Sequence, residues 1–141
     1  MKIVRAIPRI LLGLVFAVMP WMAILHLVKN PPMPPAAQAF IAALMKTGYM
    51  MPLIWGTEIV GGVLVVLGIF VPFGLILLAP VVVNIFLYHA YLDPSGIPLA
   101  IFVCLLELAV AIQYRHSFDA LFVSAPVVDS PAFVRTAAAP R

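Results

Sequence analysis

Charge and cysteine are what this sequence has least of. Only 9% of its 141 residues are charged, and Cys104 is its single cysteine. One thiol excludes an internal disulfide, a CxxC redox pair and a cysteine metal knuckle together. Eight Lys/Arg and five Asp/Glu are too few to clothe a water-soluble core. No basic patch interleaves with aromatics, so nucleic-acid binding has no footing. The chain also has no P-loop, no GxGxxG, no nucleophile elbow and no Glu-x-x-His pair on one helix. Neither hydrolysis nor a metal site is therefore expected.

What is present is apolar: 65% of residues are hydrophobic and the mean hydropathy is +1.19. Lipid is the natural solvent for such a chain. Four runs approach the roughly 20 residues that a helix needs to cross the hydrocarbon layer, at about 10–28, 52–70, 73–92 and 97–114. The fold class expected is an all-α integral membrane four-helix bundle. Residues 1–122 form the membrane domain and 123–141 a mobile tail. Lys2, Arg5 and Arg9 before the first run resemble a signal-peptide flank, but the apolar stretch is too long, so it reads as an uncleaved span.

Prolines punctuate this map. Pro52, Pro72 and Pro98 sit near span starts, where a missing amide hydrogen costs nothing, and Pro20 is placed to kink the first span. The link at Val71-Pro72 is too short for anything but a tight antiparallel hairpin, and Asp93-Pro94-Ser95-Gly96 has the form of a type I turn. The connection 29–51 differs. It opens Pro31-Pro32-Met33-Pro34-Pro35, a stiff extended piece, and continues as a short interfacial helix over 36–45 with Phe40, Ile41 and Leu44 on one side. Midway along the second span, Gly61-Gly62 reads as a flexible pair.

Basic residues set an orientation. Lys2, Arg5, Arg9 and Arg115 fall on one side, against Lys29 and Lys46 on the other, so both termini are expected in the cytoplasm of a bacterial inner-membrane protein. Depth then follows for each polar residue. His26, Glu58, Asn84, His89 and Glu107 all fall in the outer half, whereas the inner half has nothing comparable. A charged carboxylate at mid-bilayer costs at least about 2.5 kcal/mol. Glu58 and Glu107 should therefore face the interior, with Glu58 near a histidine and Glu107 bonded toward Asn84 or a backbone carbonyl. The competing view is interhelical glue, the better account of Asn84. Each histidine alone needs no function at the interface, and Tyr49, Trp55, Tyr88 and Tyr91 read most simply as an aromatic belt.

The residues also resemble a known family. Pro-Pro-Met-Pro-Pro followed by Ala39-Phe40, Thr47-Gly48-Tyr49 before Pro52-Leu53-Ile54, and Glu58 with Gly61-Gly62 occur in order. Leu78-Ala79-Pro80, Val83-Asn84-Ile85, His89, Asp93-Pro94-Ser95-Gly96, Leu106-Glu107-Leu108 and Tyr114-Arg115 follow them. Across roughly four fifths of the chain this is similar to the DoxX-like family of small bacterial four-span membrane proteins. The resemblance implies an accessory subunit and not a catalyst, since the family is named for a small subunit associated with a terminal quinol oxidase. It supplies no catalytic residue to carry over. The expected function is an accessory or small-ligand-binding subunit of a quinone-linked membrane redox system, with Glu58, His89, Asn84, Glu107 and His26 as candidate ligand-binding residues. No resident cofactor is expected, a quinone being the ligand that would suit the site. Partners would be the lipid bilayer and membrane oxidoreductase subunits. Two rivals stand beside it: a small proton-coupled transporter, which would need a homo-oligomer, and a structural membrane partner whose 29–51 loop docks another protein.

Overall fold

The computed structural model describes residues 2–27 and 32–122, side chains being described from residue 6 and leaving out that of residue 120. The expected tail at 123–141 lies outside the described residues. Five α-helices form: α1 (Lys2–Ile24), α2 (Pro35–Lys46), α3 (Met50–Leu67), α4 (Val71–Tyr91) and α5 (Ile97–Gln113). Helices α1, α3 and α4, and α5 together with the turn before it (Pro94–Gln113), are long and apolar enough to cross a membrane, and among the described residues there is no strand.

The four spans form a ring in which α1 packs on α3, α3 on α4, α4 on α5, and α5 back on α1. Leu12, Phe16, Val65, Leu78, Val82, Val103 and Val110 fill its centre. Most other large apolar side chains, Val18, Leu53, Phe73 and Leu105 among them, point outward. In water that exterior would be a liability, and in lipid it is the solvated face.

Two glycine contacts set how closely the helices approach. A Cβ on Gly62 would lie 2.5 Å from the Ala17 amide nitrogen and 2.8 Å from the Gly13 carbonyl oxygen, so α1 and α3 touch backbone to backbone. Gly61, one residue earlier, faces the other neighbour: a Cβ there would lie 3.2 Å from the Gly74 oxygen of α4. Both glycines are buried inside an unbroken α3. The pair is therefore a double packing notch and not the flexible point expected, because lipid-embedded helices gain by close backbone approach.

Both hairpins take the expected form. Gly68 ends α3 in the left-handed region at φ 73°, where its N–H and that of Ile69 return to the Leu64 carbonyl. Phe70, also left-handed, precedes Pro72 in the first turn of α4. Between α4 and α5 a 3₁₀ turn, Pro94–Gly96, is closed by Gly96 N–H on the Asp93 carbonyl. The first helix differs from its expected bounds. It runs through Pro8 and Pro20 but stops at Ile24, and His26 sits in a left-handed turn beyond it at φ 53°.

The short helix lies where the sequence places it. Ala37 of α2 is fully buried, α2 packs on α3, and the Phe40 and Tyr88 rings lie 5.9 Å apart. Tyr88 also donates its hydroxyl to the Met33 sulfur at 3.5 Å, tying the proline segment to the end of α4. At the junction to α3 the Thr47 hydroxyl accepts the Met50 N–H at 3.1 Å, which begins the next helix.

Candidate functional site

Of the two glutamates and two histidines singled out in the sequence, only one of each reaches a common space. Glu58 of α3 and His89 of α4 line a cavity of about 200 Å³ walled by Phe16 and Pro20 of α1 and by Ala100 and Val103 of α5. All four spans contribute to it. Met19 and Leu99 form part of the same lining yet are 52% and 58% exposed, so the cavity opens sideways between α1 and α5 toward the lipid.

The histidine is held from two directions. Its Nδ1 donates to the Asp93 carbonyl at 3.0 Å, since a carbonyl can only accept, and this assignment leaves Nε2 as the ring's available polar atom. Gly96 lies flat against the imidazole, where any Cβ would overlap the ring. Asp93 itself is 8% exposed, and its carboxylate accepts the Ser95 hydroxyl at 2.6 Å. The Asp93-Pro94-Ser95-Gly96 turn is thus a seat for His89 as well as a connection. Tyr88 meets the ring edge-on at 5.0 Å.

The carboxylate side is less crowded. Among the described residues no salt bridge joins Glu58 to His89, so the two share the cavity without bridging it. Pro20 adds a further polar atom at this level. It has no N–H to give the Phe16 carbonyl, which therefore lacks its usual helical donor. The arrangement is an apolar chamber with a carboxyl and an imidazole on adjacent helices. It can hold a small, mostly apolar ring or chain end that carries oxygen atoms.

The other three candidates lie elsewhere. His26 is exposed in the turn after α1. Asn84 is exposed on α4 and lines a separate, shallower space with Phe40, Leu44 and Ile54. Glu107 sits on α5 one turn beyond Val103, and its Oε1 is buried without a hydrogen-bond partner, so the bond expected toward Asn84 or a carbonyl is not made from that atom. No group of three metal-ligating side chains occurs among the described residues. Cys104 is half-buried and unpaired.

Sequence reading missed a second space at the opposite end of the bundle. Arg9 of α1 and Gln113, Tyr114, Arg115 and His116 around the end of α5 line a cavity of about 560 Å³. The signal lay in the basic residues flanking the first and last spans.

Four apolar helices in a ring, with an apolar exterior and a cavity between them near the α4–α5 turn, define a small multi-pass membrane bundle. The chain belongs to the DoxX family, a family of small membrane proteins, whose family model matches residues 4–90. That match takes in Glu58 and His89. Neither the curated proteins nor the solved structures compared with it give a match.

Proposed function

We propose that the protein is an accessory, small-ligand-binding subunit of a quinone-linked membrane redox system, and that the Glu58–His89 cavity holds the ligand's head group. The observation that carries this reading is the position of the cavity's mouth. Met19 and Leu99 border it on the lipid-facing surface, so a ligand enters from the hydrocarbon and not from water. At about 200 Å³ the cavity falls below the roughly 300 Å³ at which sites for whole drug-sized ligands begin, a size that suits one ring with its tail left in the bilayer. Nε2 of His89, left as an acceptor once Nδ1 carries the ring proton, and the Glu58 carboxylate are the polar groups available to accept the hydroxyls of the reduced, quinol ring.

The setting proposed is the bacterial cytoplasmic membrane with both termini inside, supported by Arg9 and Arg115 meeting at one end of the bundle. Tryptophan emission reports on the site directly. Trp21 adjoins Pro20 of the lining, and Trp55 lies one turn before Glu58. A short-tailed quinol titrated into the protein in lipid nanodiscs should quench this emission saturably, and Glu58→Gln, which replaces a charged acceptor of the quinol hydroxyl by a neutral one, should weaken the apparent affinity about ten-fold. Quenching that is linear, or identical in the Gln variant, contradicts the reading.

A further inference from the structure

The cavity at the other end of the bundle has a different chemistry. Arg9 and Arg115 both line it, joined by His116, Gln113 and Tyr114, and among the described residues no carboxylate is in its wall. Arg9 packs against the end of α3. Its guanidinium lies where the Cβ of any residue but glycine would be at position 68, so the side chain runs under the end of α3. Its Nε is buried with no hydrogen-bond partner among the described residues. The neighbouring Leu64 and Val65 carbonyls already accept from Gly68 and Ile69. A buried donor left unpaired on a guanidinium is expensive, and an anion entering the cavity would satisfy it.

Arg115 directs its Nε toward His116 Nε2 at 3.3 Å, and His116 Nδ1 lies 3.6 Å from Asp119, the one described carboxylate nearby. Asp119 therefore engages the imidazole and not either arginine. The apolar surroundings identify the source of the anion. Ile112, more than half exposed, is part of the cavity wall, and Ile7, Ile10 and Leu11 present apolar surface on either side of Arg9. Charge and exposed apolar surface thus adjoin at the end of the bundle, the pairing that the phosphates and acyl chains of a bilayer present.

We propose that the Arg9–Arg115 cavity is a binding site for the phosphate of an anionic phospholipid, with the acyl chains lying along the Ile7–Ile112 flank. At about 560 Å³ it has room for a glycerophosphate head group. Arg9 supplies the planar fork that suits a phosphate, and Arg115 adds a second positive charge from the rim.

Native mass spectrometry of the full chain, delipidated in detergent and given equal phosphatidylglycerol and phosphatidylcholine, tests this. The expected result is one retained phosphatidylglycerol per chain, with a preference over phosphatidylcholine that falls about five-fold in Arg115→Gln and at least as much in Arg9→Gln. Arg9→Lys, which keeps the charge but not the fork, should fall between wild type and Arg9→Gln. Arg115 is exposed, so its variant reports on binding without disturbing the fold. Millimolar inorganic phosphate should not displace the lipid. Equal retention of both lipids, or an unchanged preference in Arg115→Gln, overturns the site. Displacement by inorganic phosphate reassigns it to a soluble anion and overturns the lipid.

Discussion

Gly56 and Gly62 occupy the same helix and would respond oppositely to a methyl group. At Gly62 the added Cβ meets the backbone of α1, which cannot give way as a side-chain tip can. Gly62→Ala should cost about 1–3 kcal/mol and lower the melting temperature in detergent. Gly56 has nothing within 4 Å of its missing Cβ, so Gly56→Ala should leave stability unchanged or raise it by up to about 1 kcal/mol. Equal effects at the two positions would contradict the packing notch. The sequence shows both glycines and does not say which of them touches another helix. The same holds for the site. Glu58 and His89 stand out in apolar runs, and their depth can be counted along the chain, but depth is one coordinate and the angle around the helix is the other. Asn84 precedes His89 by five residues, which turns it about 140° away, so it faces α2 and not the cavity.

Elements were more legible than contacts, because the length of an apolar run and the position of a proline are local facts. Pro72 and Pro98 each fall in the first turn of a helix, and the two short links could only be hairpins. The end of α1 was less legible, since an uncharged stretch continues past the point where the backbone turns at Leu25 and His26. The seat that Gly96 makes for His89 was not legible at all, as it pairs a turn with the helix before it. The short helix α2 rests on few contacts, Phe40 against Tyr88 being the aromatic one. Phe40→Ala should therefore release α2 alone, speeding amide exchange over Pro35–Lys46 about five-fold, the equivalent of roughly 1 kcal/mol for an aromatic pair, while exchange in the four spans stays as it was. Spans that loosen together with α2 would show that it is part of the core and not a flap on its end.

At the scale of the whole molecule, four crossings put the α4–α5 turn and the residues just after α5 on opposite faces of the membrane. In a Cys104→Ser background, Ser95→Cys and Ser117→Cys should react with an impermeant maleimide from opposite sides, with Ser117→Cys on the cytoplasmic one. Labelling from the same side would remove a span. The bundle as drawn separates two chambers: an apolar one near the α4–α5 turn holding Glu58 and His89, and a basic one at the far end holding Arg9 and Arg115. Flanking charges put Arg9 and Arg115 on the same side of the membrane, and the fold adds that the start of α1 lies beside the end of α5, so that the two line one chamber. The first chamber carries the functional claim, and photo-crosslinking with an azido-quinone in nanodiscs, mapped by peptide mass spectrometry, tests it most directly. The account predicts label on the α1 segment holding Phe16, Met19 and Pro20 and on the α5 segment holding Leu99, Ala100 and Val103, and its loss in Ala100→Leu, which fills the cavity. Label spread over the lipid-facing surface, or unchanged by Ala100→Leu, would contradict it.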